Sequence, residues 1–222
     1  MKFVIFDTET TGLNGEAIQM AMIVLDENLK IESFDSFYCD TDCVIEKGAT
    51  NVHGLTNEMV HKLSGGKYFE DYVLGNPRYK KLFFEEDVVF PGYNVLFDLK
   101  IVNNSLINTG HGLITDIKKY SDLKNNPDAK LRLVTKTYNP IKETGGAHWF
   151  DLMEYARNRT GMIKGLNLAK AVDLLVRDID VKTSFDVVSK KFNLQSGKSY
   201  HDASYDAFCT MLLFYEFIKN PM

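Results

Sequence analysis

No hydrophobic run in this 222-residue chain approaches the ~18 residues that a membrane span needs, and the mean hydropathy is -0.20. The start, MKFVIFD, has too short an apolar part for a secretory leader and is interrupted at once by an acid. The expectation is a cytoplasmic protein without a membrane partner. Cysteine is scarce: Cys39, Cys43 and Cys209 make an odd count, and the Cys-x-x-x-Cys spacing of CDTDC has no second Cys/His pair nearby. That excludes a disulfide framework and disfavours a zinc site, leaving reduced thiols. There is no internal repeat and no low-complexity stretch. An excess of positive charge is also missing, since 26 Lys and Arg stand against 30 Asp and Glu, a net charge of -4. A protein coated in basic residues is excluded. A polyanionic ligand is not, because a site made of carboxylates and bound cations is itself acidic.

What is present reads as an α/β protein. KFVIFD, EAIQMAMIVLD and IESFDSFYC read as three successive strands, which predicts an antiparallel meander. TNEMVHKL opens with a capping box at Thr56, and KYFEDYVLGNPRYKKLF reads as helix broken near Gly75-Asn76-Pro77. DVVFPGYN reads as a strand ending in a Pro-Gly turn, followed by a helix in VLFDLKIVNNSLINTG with Gly110 past its end. GLNLAKAVDLLVRDI, SFDVVSKKFNL and HDASYDAFCTMLLFYEFIK carry helical apolar periodicity. Strands first and alternation later predict a mixed sheet with helices on its faces. The whole chain, 1–222, is expected to be one domain with an insertion at about 111–147. That segment is locally basic (Lys118, Lys119, Lys124, Lys130, Arg132, Lys136, Lys142), and KLRLVTKTYNPIKET within it alternates like a hairpin arm. It reads as a solvated surface excursion or as an arm touching phosphates.

Three constellations carry candidate chemistry. In FDTETTG, Asp7 and Glu9 are two apart and share one face of a strand. Side by side they repel unless a cation sits between them; they could equally be turn or cap acids. The stretch also partly matches the Asp-x-Asp-x-Thr signature of haloacid-dehalogenase phosphatases, with Glu9 in place of the second Asp. In GYNVLFD, Asp98 falls in the first turn of a helix with Asn94 a turn earlier, and Asp98 could simply complement the helix dipole. In HDASYDAF, a helix from about Asp202 to Ile218 has Ala203, Ala207, Met211, Phe214 and Ile218 as its buried stripe. Asp206 lies at the edge of that stripe, where a carboxylate is costly unless paired or metal-bound. His201 is ~140° from Asp206 on a helix, so it can work with Asp206 only from the incoming loop. Asp202 reads as the cap.

Together, in this order, the three motifs resemble those of the DEDDh, or DnaQ-like, exonucleases, the family of the DNA polymerase III proofreading subunit and ribonuclease T. YNVLFD is similar to the second motif, His-Asn-x-x-Phe-Asp, with Tyr93 replacing its histidine, and HDASYDA matches His-x-Ala-x-x-Asp-Ala. NVHGLTNEM and WFDLMEYAR resemble further family segments. The phosphatase alternative leaves Asp98, His201 and Asp206 unexplained. The resemblance implies a ribonuclease H-like mixed five-stranded sheet and a 3'-5' exonuclease that hydrolyses 3' ends of mainly single-stranded DNA to nucleoside 5'-monophosphates. The alternatives are an exoribonuclease acting on RNA ends and, more remotely, a non-catalytic nucleic-acid binding module. It implies two divalent cations, Mg2+ or Mn2+, held by Asp7, Glu9, Asp98 and Asp206, with His201 as general base. Tyr200 and Tyr205 are out of register for the tyrosine subclass, whose Tyr lies four residues before the last Asp. Thr10, Leu13, His53, Asn94 and Phe97 take the positions that contact the terminal nucleotide. A polymerase or another replication or repair protein is the implied protein partner.

Overall fold

A computed structural model describes residues 2–84, 88–107, 148–194 and 199–220; the basic 111–147 segment and Gly110 lie outside them. Three strands, β1 (Lys2–Thr10), β2 (Ala17–Leu25) and β3 (Ile31–Tyr38), form the expected antiparallel meander. β4 (Val88–Gly92) pairs parallel to β1, and β5 (His148–Asp151) pairs parallel to β4. The sheet order is β3-β2-β1-β4-β5, so the strand bearing Asp7 and Glu9 is central. Pro91 and Gly92 do not turn the chain, contrary to expectation. They pair with Phe150 and Asp151, and the turn falls on Tyr93 and Asn94. Gly92 is needed there because a Cβ would come within 2.6 Å of Val95 Cβ.

Strand alternation sorts the side chains onto two faces. Phe3, Ile5, Ala21, Ile23 and Phe34 face one core, and Val4, Phe6, Met20, Met22 and Phe37 face the other. The first face is covered by α6 (Leu152–Thr160), α7 (Leu168–Leu175), α8 (Val181–Lys191) and α9 (Ala203–Lys219), and the second by α3 (Phe69–Val73), α4 (Pro77–Phe84) and α5 (Val95–Ile107). The break between α3 and α4 falls where Gly75-Asn76-Pro77 predicts it.

Two more expectations need correction. α9 has no single buried stripe: every residue from Ala203 to Phe214 is buried, because the helix lies between the sheet and α6–α8, while Ile218 is only partly covered. Thr56 caps α2 (Asn57–Ser64) by accepting from the Met59 N–H, but a full box needs an acid at the third helical position, and that residue is Met59. α1 (Lys47–His53) escapes sequence reading, since it buries no residue and has no capping side chain. It ends at Gly54 with φ +77.

Candidate active site

At the carboxyl end of β1 the sheet opens. The parallel register with β4 covers only Lys2 and Phe3. Further along, the Thr8 N–H and Oγ donate to Asp98 Oδ1 on α5, at 3.0 and 2.7 Å. Asp98 is thus fixed beside the strand that carries Asp7 and Glu9. Crevices outside strand ends are where ligands bind in open α/β sheets.

Asp7, Glu9 and Asp206 converge beyond that β1–β4 pairing, each offering a carboxylate oxygen within 4.8 Å of the others. Asp98 stands outside this closest group but near enough to act on Asp7. Asp7 is half-buried and the other three are buried. Loss of hydration pushes all four upward, and mutual repulsion adds to it. Asp7 is raised well above the carboxylate range by burial and then by Asp98, Asp206 and Glu9. Burial takes Glu9 to about 8, with Asp206, Asp202 and Asp98 contributing. Asp98 rises to about 7 through burial, against the lowering effect of the Thr8 hydrogen bonds. Burial likewise brings Asp206 to about 7. Asp206 Oδ1 is buried with no hydrogen-bond partner among the described residues. An unmet acceptor among mutually repelling oxygens fits a hard divalent cation such as Mg2+ or Mn2+.

His201 sits on the loop before α9, as the angular argument requires. It is exposed, with φ +68, and its backbone N–H donates to Asp206 Oδ2 at 3.0 Å. Asp202 is the cap: its Oδ1 accepts from the Ser204 and Tyr205 N–H groups at 3.0 and 3.3 Å. Tyr200 and Tyr205 pack edge to face, 5.1 Å between centroids, and Tyr205 is buried.

The remaining candidates are placed as follows. Thr10 is buried, its hydroxyl donating to the Gly12 carbonyl. Leu13 is 76% exposed. His53 accepts from the Leu55 N–H at Nδ1, so Nε2 carries the proton and donates to the Thr10 carbonyl at 3.1 Å. Burial lowers the His53 pKa, the hydrogen bond to the Thr10 carbonyl opposes this, and the charge of His201 adds to the lowering. Phe97 is half-buried on α5. Asn94 does not ride one helical turn before Asp98. It precedes α5 in the left-handed region, φ +62, exposed, and its carbonyl accepts from the Phe97 N–H. Tyr93 donates to the Leu166 carbonyl at 2.6 Å, which ties the strand end to the loop before α7.

The acids predict a visible pH effect. Unfolded carboxylates titrate near ~4, whereas Glu9, Asp98 and Asp206 titrate at about 7 to 8 in the fold. Between those values the folded state holds more protons, so stability falls as pH rises. In chelator, the Tm should be higher at pH 6 than at pH 8.5, and Mn2+ should raise it more at pH 8.5, where protons no longer compete for the ligands. Circular dichroism melts check this; a pH-independent response to Mn2+ would contradict it.

The site is thus a central-strand carboxylate pair joined by one acid from each flanking helix layer, on a ribonuclease H-like sheet, an acidic cluster consistent with metal binding. Residues 4–106 match the RNase_T family, described as "Exonuclease". Over 105 residues the chain is 35% identical to the PolC-type DNA polymerase III of Latilactobacillus sakei, and over 112 residues 30% identical to that of Pediococcus pentosaceus. These matches cover 46% and 49% of the chain but only 7% of either relative. Among solved structures, an E. coli ExoI–ssDNA complex with zinc superposes with a TM-score of 0.60 at 17% identity, over 98% of this chain and 40% of that one. Exonuclease X in complex with 5' overhanging duplex DNA gives 0.56 at 17% identity, over 99% and 93%. Over residues 4–106, a little under half of its length, the chain is similar to the RNase T/DnaQ-like exonucleases, and its fold is theirs.

Proposed function

We propose that the protein is a metal-dependent exonuclease that shortens single-stranded DNA from its 3' end and releases nucleoside 5'-monophosphates. The observation that carries this reading is the convergence of Asp7, Glu9 and Asp206, with Asp98 beside them, at the open end of β1. Asp7, Glu9, Asp98 and Asp206 would hold two Mg2+ or Mn2+ ions. Bound there, such a pair supplies the positive charge that offsets the phosphate and the departing 3'-oxygen. His201, held over Asp206 by its own backbone N–H, takes the proton of the attacking water from the solvent side. Its exposed position lets it move aside as product leaves.

Leu13, exposed just past the end of β1, and Phe97 are proposed to contact the terminal base or sugar by wedging or stacking. Thr10 contacts the nucleotide through its backbone, since its hydroxyl is already engaged by Gly12. His53 fixes that backbone, and Asn94, exposed just before α5, is proposed to contact the same nucleotide. Similarity to PolC-type DNA polymerase III supports a replication context with a polymerase partner.

The test uses matched DNA and RNA oligonucleotides, labelled at the 5' end, with Mg2+, Mn2+ or chelator. A ladder shortening from the 3' end, faster on DNA and abolished by chelator, is expected. Faster RNA decay would favour the exoribonuclease reading, and hydrolysis insensitive to chelator would overturn the mechanism.

A further inference from the structure

β2 reads AIQMAMIVL, nine buried residues of which one, Gln19, is polar. A polar group this deep, 1% exposed, must find partners, and both are at the start of α9. Gln19 Nε2 donates to Asp202 Oδ2 at 3.1 Å, and its Oε1 accepts from the Ala203 N–H at 3.3 Å. Only one orientation of the amide satisfies both, since a backbone N–H cannot accept. Across the sheet Gln19 pairs with Glu9 on one side and Tyr38 on the other, so Glu9 and the clamp lie in one row on one face. In the next row on that face, Asp7, Ala21 and Ser36 are paired, and Ser36 Oγ meets Ser204 Oγ at 2.8 Å. Both rows therefore seat the first turn of α9, the turn that carries Asp206 and follows His201.

We propose that Gln19 is a positioning residue of the active site: its amide clamps the α9 cap to the strand row of Glu9, and so sets where Asp206 and His201 stand relative to Asp7 and Glu9. Gln19 touches no reacting atom. It acts through Asp202, and a displacement of about 1 Å at such a site can cost about a hundredfold in rate. The proposal deepens the exonuclease reading and rests on it for the kinetic readout alone.

The experiment exchanges the donor and acceptor. In Gln19→Glu the carboxylate still accepts from Ala203 but meets the Asp202 carboxylate with no proton to donate. In Asp202→Asn the new side chain remains a good cap but turns an N–H2 toward Gln19. In the double variant the amide introduced at position 202 donates to the carboxylate introduced at position 19. That carboxylate also accepts from Ala203, and the clamp is rebuilt in reverse. Each single variant should lower kcat at least about tenfold with KM little changed and weaken Mn2+ binding by calorimetry. The double variant should recover both to within about threefold. Single variants with wild-type kcat and Mn2+ affinity, or a double variant no better than the singles, would overturn the proposal. If Gln19→Glu fails to fold, Asp202→Asn and the double variant decide it alone. Absence of hydrolysis by the wild-type protein would sink the exonuclease reading, while the Mn2+ titrations would still judge the clamp.

Discussion

Replacing Asp7 with Asn is expected to abolish hydrolysis while making the metal-free protein more stable at alkaline pH. Asp7 stands where the repulsion of Asp98, Asp206 and Glu9 converges. Under the proposed mechanism, removing its charge takes away a central metal ligand, and with it several kcal/mol of transition-state stabilisation, about a thousandfold or more in rate. The same change relieves the cluster. A carboxylate with a raised folded-state pKa costs stability when it ionises as pH rises, so neutral Asn at pH 8 in chelator should raise the Tm. Ala would also leave a cavity, which makes Asn the cleaner variant. Single-turnover kinetics and melts on one preparation test both halves. A variant that is inactive but destabilised in chelator would mean Asp7 serves the fold and not the cation site.

The second large effect is expected at His201. Loss of a general base costs about 10²–10⁴ in rate. Gly is the better replacement here than Ala, because φ at 201 is +68, a conformation Gly adopts without the Cβ strain that His and Ala both carry. The backbone N–H that donates to Asp206 Oδ2 survives in Gly, so Asp206 keeps its position. His201→Gly should therefore lower kcat by that factor while calorimetric Mn2+ affinity stays within about twofold of wild type. Wild-type turnover in the Gly variant would assign the proton to another group. A matching loss of Mn2+ affinity would make the histidine part of the metal site.

Much of the candidate site was legible because its chemistry is packed into short segments. Asp7 and Glu9 are two apart on a strand, and strand alternation alone puts them on one face. His201 could not share a helix face with Asp206, and it stands on the loop. What failed was reading that treated each element by itself. The stripe assigned to α9 assumed one solvated face, but three helices cover the side turned away from the sheet. Pro91-Gly92 looked like a turn because Pro cannot donate to a ladder, yet it fits the end of β4, where the strand leads into Tyr93-Asn94. α1 offered no apolar pattern because it buries nothing.

The amino-acid sequence made most strands and helices and their order legible, α1 excepted, through periodicity and residue chemistry over a few positions. The four acids and the histidine stood out as one set only through the family resemblance of their motifs. Only the tertiary structure decided how the acids meet. Thr8 holds Asp98 from 90 residues away and Gln19 holds Asp202 from 183. Contacts at such separation leave no local period to read. They exist because the sheet and α9 bury each other's apolar surface, and buried polar groups caught between them must then pair with whatever that packing brings within reach.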